Sequence, residues 1–242
     1  MGVMTLVVAT VSGHKGGTGK TVVASLLSYH LSTRIGEKVL VIDLGEAGSS
    51  TTLLLEEDPG PPYISDFFLG RATWSDVIVV SNLSDNLMIV PCSGEVGPVD
   101  PTSLEYLIDR TSKHFEYIIL DLPAYPGSLY DPVVGLAEVI ITVFNPDFLS
   151  FQAVSTWLKR RDFFRRKLIL PLLNKYFLFM GDWKDLARDE FGTVFTMPFD
   201  AALQFSFARN IGEAYKNASN RVKKDLEVLT YRLQKPLLKV TG

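Results

Sequence analysis

The stretch Gly13–Thr21, with sequence GHKGGTGKT, constrains this chain more than any other. It follows the apolar run Leu6–Val11 and opens a helix-like run, Val22–Leu31. Closely spaced glycines let backbone N–H groups turn around phosphate oxygens, and a following helix adds its N-terminal partial positive charge. Lys20 can reach the β- and γ-phosphates, and the Thr21 hydroxyl can ligate Mg²⁺. The sequence therefore predicts a phosphate-binding loop between a strand and a helix.

The loop departs from the commonest phosphate-binding pattern. The pattern G-x-x-x-x-G-K-[ST] fails at its first glycine, where His14 stands. The pattern that fits is K-G-G-x-G-K-[ST], which adds a second lysine, Lys15, before the glycines. A glycine-rich turn without a ligand is the alternative interpretation, but the strand-to-helix context favours a phosphate site.

Length and composition limit the other function classes. The chain has 242 residues and 47% apolar residues, and we predict one P-loop ATPase domain over 1–242. A net charge of −3 means that any binding to nucleic acid or anionic lipid must come from a local patch. The single cysteine, Cys92, excludes an intrachain disulfide and is expected to be a buried thiol. No signal-peptide pattern and no run of 18 apolar residues occurs, so we expect a soluble cytoplasmic protein.

Short apolar runs alternate with helical patterns along the chain. Most of the runs are continuously apolar, which is typical of strands buried on both faces of a parallel sheet. The alternation predicts an α/β fold with a doubly wound, mostly parallel β-sheet flanked by helices. The predicted strands are Leu6–Val11, Val39–Ile42, Leu87–Val90, Tyr117–Leu120, Val139–Phe144, Leu168–Leu173 and Val194–Met197. The predicted helices are Lys20–Arg34, Thr102–Lys113, Phe148–Phe164, Asp182–Glu190 and Asn217–Leu233.

Two predicted strands are followed directly by an aspartate. Asp43 follows the second strand, and Asp121 follows the run Tyr117–Leu120. In a doubly wound sheet, ligands bind at the carboxyl ends of the strands, where these carboxylates can hold Mg²⁺ or its waters. Either aspartate could instead cap a helix or stabilise a turn. Beside a phosphate loop we favour the magnesium role.

The chain resembles the ParA/MinD family of deviant Walker ATPases over roughly residues 3–235. The loop Lys15–Thr21 matches the family's K-G-G-x-G-K-T, and Val39–Asp43 its second strand with the first aspartate of switch I. The segment Tyr117–Pro123 matches its Walker B strand, and Ala137–Asp147 its A-D-x-V-I-x-x-x-x-P-[ED] segment. Two further matches are weaker. Leu172–Lys175 resembles the strand whose asparagine recognises adenine, and Met197–Asp200 resembles the I-P-x-D segment.

This resemblance implies a P-loop NTPase of the ParA/MinD type that uses ATP, ADP and Mg²⁺. It implies catalytic roles for Lys15, Lys20 and Asp43, and metal ligation by Thr21, Asp43 and Asp121. The nucleotide-binding residues would be Lys15, Gly16, Gly17, Thr18, Gly19, Lys20, Thr21, Val22, Asn174, Pro198, Phe199 and Asp200.

The resemblance also implies a homodimer that forms on ATP binding. Two subunits would sandwich two ATP molecules, with Lys15 reaching the nucleotide of the partner. The family usually carries D-x-D after its second strand, whereas this chain has Gly45 at the second aspartate position. We therefore expect slow hydrolysis, or that Glu46 or a partner substitutes for the missing aspartate.

A basic run at the end of the third predicted helix is a candidate DNA-binding surface. Six basic residues in nine are compatible with phosphate contacts, although a solvated helix face is the commoner meaning of such a run. The six are Lys159, Arg160, Arg161, Arg165, Arg166 and Lys167. Non-specific DNA and a ParB-like stimulating protein are the partners that this hypothesis implies.

Membrane contact is less expected from the sequence. Residues 217–233 carry one apolar stripe, which predicts a helix packed on the sheet that ends before Pro236. The apolar segment Tyr176–Trp183 is expected to fold back into the core, because large aromatic side chains are mostly buried. If exposed, it would form a contact patch.

Four functions remain open at this point. A ParA-like partition or cargo-positioning switch leads, and a MinD-like membrane-associated regulator of division or placement is the alternative. A metallocentre-insertion ATPase is weakly supported by a chain with one cysteine. A nucleotide-binding scaffold that has lost hydrolysis remains possible because of Gly45.

Overall fold

A computed structural model describes residues 5–13, 15–45, 49–94, 99–124, 130–159, 167–204 and 209–238. The strands in these ranges form one eight-stranded sheet in the order β3-β4-β2-β5-β1-β6-β7-β8. All neighbouring strands are parallel except β3 and β4. The strands are β1 (Leu6–Val11), β2 (Val39–Asp43), β3 (Val79–Val80), β4 (Leu87–Val90), β5 (Tyr117–Asp121), β6 (Val139–Phe144), β7 (Leu168–Tyr176) and β8 (Phe195–Pro198).

Helices connect the parallel strands. The first, α1 (Lys20–His30), continues into a π-helical turn over Leu31–Ile35, and a 3₁₀ turn covers Ala201–Gln204. The other helices are α2 (Ser49–Leu55), α3 (Ile64–Phe68), α4 (Pro101–Thr111), α5 (Asp131–Gly135), α6 (Phe148–Lys159), α7 (Gly181–Phe191), α8 (Ile211–Asn217) and α9 (Asn220–Leu238).

The two faces of the sheet carry separate apolar cores. Along β1, Leu6 and Val8 pack into one core, whereas Val7 and Ala9 pack into the other. This alternation buries both sides of each central strand, which explains why the strand sequences read as continuous apolar runs. The predicted doubly wound, mostly parallel α/β sheet flanked by helices is confirmed.

The differences from the predicted elements concern short segments and ends. The strand β3 and the helices α2, α3, α5 and α8 are too short to give a periodic signal. The prediction that the last helix ends before Pro236 was wrong, because α9 runs to Leu238. A proline removes one backbone hydrogen bond, which a helix that is already several turns long can lose near its end. The predicted apolar stripe of this helix is buried in the core, at Val222, Leu226, Leu229 and Leu233.

Candidate functional site

The glycine loop connects β1 to α1 and is fastened by the end of β7. The Asn174 amide Nδ2 donates to the Thr18 carbonyl oxygen at 2.7 Å, and Lys175 Nζ donates to the Gly17 carbonyl oxygen at 3.1 Å. Gly19 has φ +96°, and a Cβ added there would lie 2.3 Å from Asn174 Nδ2. Only glycine therefore fits this position, for reasons of both backbone conformation and space.

Asn174 has a contact that the sequence did not reveal. The resemblance assigned this residue to adenine recognition alone. In the structure its amide group also holds the loop in shape, from a position 156 residues further along the chain. Nothing in the local sequence pattern links these two segments, because the contact depends on the sheet order, in which only β6 separates β7 from β1.

The loop residues that would face phosphate are buried and polar. Lys20 is 7% exposed, and its Nζ donates to Ser12 Oγ at 3.1 Å. Ser12 Oγ in turn donates to the Lys15 carbonyl oxygen at 2.5 Å. The Thr18 hydroxyl is buried without a hydrogen-bond partner among the described residues. A buried hydroxyl without a partner, beside a lysine and a glycine cradle, fits an anionic ligand such as a nucleotide phosphate.

Asp43 and Asp121 end neighbouring strands and lie directly opposite one another in the β2–β5 register. Both are fully buried. Backbone N–H groups bind both Asp43 oxygens: Gly45 donates to Oδ1 at 2.9 Å and Thr51 to Oδ2 at 2.8 Å. The Thr51 hydroxyl also donates to Asp43 Oδ2 at 2.8 Å. Asp43 is thus held by two backbone N–H groups, which can only donate hydrogen bonds, and by one hydroxyl group, which donates here.

Hydroxyl groups surround the second carboxylate. Ser50 Oγ donates to Asp121 Oδ2, and the Thr21 hydroxyl also hydrogen-bonds this carboxylate. Thr10 Oγ1 lies 3.5 Å from Asp121 Oδ1. The structure therefore brings together the three predicted metal ligands, Thr21, Asp43 and Asp121. Ser50 and Thr51 were missed, although the run of hydroxyl residues Ser49–Thr52, a few residues after Asp43, is a signal that could have indicated them.

Burial is the largest cause of the pKa shifts of Asp43 and Asp121. Burial, together with the nearby Asp121 charge, raises the pKa of Asp43 to about 7. Burial also raises the pKa of Asp121, although hydrogen bonds from Ser50 and Thr21 and the charge of Lys20 oppose this. A divalent cation would favour the charged form of both groups. Two carboxylates and a hydroxyl suit Mg²⁺, which keeps several of its waters. No cluster of three or more His, Cys, Asp or Glu residues with metal-binding geometry occurs in the described ranges.

Lys15 contacts its own chain. Its Nζ lies 4.0 Å from Asp147 Oδ1, with the two side chains 37% and 44% exposed. An ion pair this long and this exposed contributes at most about 1 kcal/mol. Lys15 can therefore leave Asp147 at little cost. His14 and Glu46 lie outside the described residues.

A cavity of about 190 Å³ adjoins the loop. The predicted nucleotide residues Gly19, Val22, Asn174, Pro198, Phe199 and Asp200 all line it. The Asp200 carboxylate accepts hydrogen bonds from the backbone of Ala202 and Ser219, so it also fixes the chain that leads to α9. These later residues thus lie beside the loop, around one cavity.

The aromatic segment after β7 is divided between core and surface. Tyr176, Met180 and Trp183 pack into a small apolar cluster, as predicted. Leu178 and Phe179 are 73% and 80% exposed, so the expectation that the whole segment folds back into the core was wrong. The segment packs into the core at Tyr176 and again at Met180 and Trp183, and it is too short for the residues between them to be buried as well. Phe177 is stacked between Phe179 and Phe199, with ring centres 5.3 and 4.8 Å apart.

The basic run is described only at its two ends. Lys159 Nζ lies 2.5 Å from Glu190 Oε1, and Lys167 Nζ donates to the Gly135 carbonyl oxygen at 2.7 Å. Arg160, Arg161, Arg165 and Arg166 lie outside the described residues. Cys92 is buried, as predicted, with Sγ 3.3 Å from the Gly45 carbonyl oxygen.

The sequence matches the AAA domain family AAA_31 over residues 6–174, which includes the loop, both aspartates and Asn174. The chain belongs to this family. Within it, the chain is of the ParA/MinD type, which confirms the resemblance drawn from the motifs. In the described part of this AAA-domain chain, no helix is long and apolar enough to cross a membrane.

Curated relatives cover part of the chain. An uncharacterised ATP-binding protein of Methanocaldococcus jannaschii is 28% identical over 150 residues, which is 61% of this chain and 55% of the relative. The septum site-determining protein MinD of Thermotoga maritima is 27% identical over 143 residues, which is 58% of this chain and 52% of the relative. The match to this AAA-domain chain thus spans about half the length of these relatives.

Solved structures share the fold over nearly the full chain. MinD of Pyrococcus horikoshii, complexed with Mg-ADP, has a TM-score of 0.77 and 26% identity, and the match covers 99% of this chain and 98% of that one. A ParA family ATPase from Chlorobium tepidum has a TM-score of 0.75 at 19% identity, with 93% and 95% coverage, and shows the fold alone.

Proposed function

We propose that this chain is an ATP-dependent dimerising switch with ATPase activity that uses Mg²⁺. The observation that carries this is the assembly of a glycine loop, Lys20, Thr21 and two buried carboxylates at one edge of the sheet. The Mg-ADP complex of the Pyrococcus horikoshii relative supports the same cofactors here. The loop geometry and the partnerless Thr18 hydroxyl support binding of phosphate at this edge.

Each residue has a distinct task in this proposal. The loop backbone and Lys20 bind and orient the phosphates, and Thr21, Asp43 and Asp121 hold the metal side of the site. Bound Mg²⁺ supplies charge that stabilises the transferring phosphoryl group. Val22, Asn174 and the turn Pro198–Asp200 enclose the base. The residues around Asp43 keep its carboxylate oriented.

Dimerisation tests the proposal most directly. The Lys15 side chain is held by a long, exposed ion pair with Asp147, so it can move to the nucleotide of a partner subunit. We expect size-exclusion chromatography to show a dimer with ATP, and a monomer with ADP or without nucleotide. Lys15→Ala should still bind ATP but fail to stabilise the dimer. If ATP neither dimerises the wild type nor distinguishes it from Lys15→Ala, the sandwich mechanism is wrong.

Hydrolysis is expected to be slow, because Gly45 supplies no carboxylate to position the attacking water. Glu46 is the nearest acidic residue in the sequence that could substitute. Phosphate release should therefore remain below that of typical ATPases, which is on the order of 10 per second. Glu46→Ala should lower it further and leave ATP binding unchanged. Fast turnover that Glu46→Ala does not affect would contradict this prediction.

We propose cargo positioning in the manner of ParA as the cellular role, with the basic run as the DNA-binding surface. DNA retardation that requires ATP and is lost on changing Arg160, Arg161, Arg165 and Arg166 to Glu supports this role. The relatives named as septum site-determining proteins favour a second candidate, a MinD-like regulator that acts at the membrane. Liposome sedimentation that is lost on deleting residues 236–242 selects that alternative.

A further inference from the structure

A second and larger cavity, of about 570 Å³, opens far from the glycine loop. Its walls come from the end of α1 and its π-helical turn, from Asn82 and Leu83 before β4, and from the start of α8. Helix α1 begins at the loop, and the 14 residues from Lys20 to Arg34 separate the two sites by roughly 20 Å. The volume is in the range of small-molecule sites, about 300–1,000 Å³.

Positive charge dominates the lining of this cavity. Arg34, Lys216 and Lys223 line it, and within the described ranges none of them forms an ion pair with a carboxylate. The acidic lining residue, Glu213, accepts the backbone N–H of Arg209 at 2.9 Å and keeps its negative charge, so the three cations outnumber it. Lys223 Nζ also donates to the Lys216 carbonyl oxygen at 3.2 Å, which leaves its positive charge in place. Cations that line one concavity repel one another, and a bound anion would relieve this repulsion.

Two tyrosine rings form an apolar wall in the same cavity. The rings of Tyr29 and Tyr215 have centres 5.3 Å apart and an interplanar angle of 57°. Tyr215 is 5% exposed, and its hydroxyl lies 3.1 Å from His30 Nδ1, which fixes the ring. The Arg34 guanidinium and the Lys223 ammonium lie 5.9 and 5.5 Å from the Tyr215 ring centre. The cations are thus positioned beside a rigid aromatic surface.

The absence of a side chain at Gly212 keeps space open in the cavity. A Cβ added at Gly212 would lie 3.4 Å from both Leu83 and Tyr29 and 3.1 Å from Asn210 Oδ1. Asn210 is 5% exposed, and its side chain caps α8 by accepting the Glu213 backbone N–H at 2.9 Å. Any larger residue at position 212 would therefore fill space between the tyrosine wall and the loop before β4.

We propose that this cavity binds a small planar anion, an aromatic or heteroaromatic ring that carries a phosphate, sulfonate or carboxylate group. The ring packs on the half-buried Tyr29, which the buried Tyr215 supports from behind, and the anionic group is bound by Arg34, Lys216 and Lys223. A purely apolar ligand would leave the cationic lining without a partner, and a bare inorganic anion leaves the tyrosine wall unused.

Pyranine, a planar dye with several sulfonate groups, is a suitable probe. Fluorescence anisotropy is measured with the full chain in saturating Mg-ADP, so that the glycine loop does not compete for the anion. We expect wild-type binding in the micromolar range. Arg34→Gln combined with Lys223→Gln should weaken it by about 10-fold or more, because each charged hydrogen bond is lost. Gly212→Ala, which alters no charge, should weaken binding several-fold.

A matched control comes from α4. Arg110 lies 4.9 Å from the ring centre of Tyr106, which reproduces the cation–tyrosine pair on an exposed surface without a cavity. Arg110→Gln combined with Lys113→Gln should leave pyranine binding unchanged. Equal loss in this control, no loss in the cavity variants, no binding to the wild type, or equally tight binding of inorganic phosphate would each overturn the proposal. Thermal unfolding of every variant distinguishes lost binding from lost folding.

Discussion

Gly19→Ala is expected to abolish nucleotide binding, with a loss of affinity of at least about 100-fold. Gly19 has φ +96°, and the new Cβ would lie 2.3 Å from Asn174 Nδ2. Either the Asn174 side chain or the loop must then move, and both movements break the hydrogen bond from Asn174 to Thr18 that holds the loop in shape. Because the backbone N–H groups of the loop and Lys20 act on the phosphates together, a shift of about 1 Å is sufficient for such a loss.

Gly36→Ala provides a matched control for this effect. Gly36 has a similar conformation, with φ +88°, but nothing lies within 4 Å of an added Cβ. Both variants should lose about 1 kcal/mol of folding free energy from the left-handed conformation, and Gly19→Ala should lose more because of its contact with Asn174. Only Gly19→Ala should lose ADP binding in isothermal titration calorimetry. Normal ADP affinity in Gly19→Ala would show that the loop does not bind phosphate in the shape described here.

Asp121→Asn is expected to stabilise the nucleotide-free protein at pH 8, by about 1–2 kcal/mol. Burial raises the pKa of Asp121 and raises that of Asp43 to about 7, so the folded state binds protons more tightly than the unfolded state does. The wild type is therefore relatively stable at low pH and loses stability as the pH rises from about 4 through about 7. The hydroxyls around Asp121 can turn and accept hydrogen bonds from an asparagine amide.

The same substitution at Asp43 should stabilise the protein less at pH 8, because a hydrogen-bond mismatch offsets the relief of its raised pKa. Backbone N–H groups of Gly45 and Thr51 donate to the two Asp43 oxygens, and neither can accept. An asparagine must place its NH₂ group against one of them, which costs about 1–3 kcal/mol. Urea unfolding at pH 5 and pH 8 measures both effects. The gain for Asp121→Asn should be smaller at pH 5, and in both variants Mg-ADP should stabilise less. An equal gain at both pH values would contradict the proposed carboxylate repulsion.

The predictions for Gly19 and for the Asp43–Asp121 pair each combine a sequence signal with a contact that only the structure shows. The glycine spacing marks Gly19 as part of a phosphate loop from the sequence alone, but only the position of Asn174 explains why an alanine cannot fit there. The strand-end positions of Asp43 and Asp121 likewise indicate a metal site from the sequence. The difference between hydroxyl and backbone donors around them depends on α2, whose seven residues are too short to be predicted from periodicity.

The sequence by itself determined the sheet, the loop and the edge of the sheet at which ligands would bind. These follow from local order: continuous apolar strands, glycines before a helix, and aspartates at strand ends. The tertiary structure decided which distant side chains complete the site. Asn174 reaches Thr18 across 156 residues, and the exposed tip Leu178–Phe179 and the cationic cavity at Tyr215 arise where separate segments meet. Contacts between distant segments leave no periodic trace in the sequence, because the three-dimensional packing of the strands and helices alone brings them together.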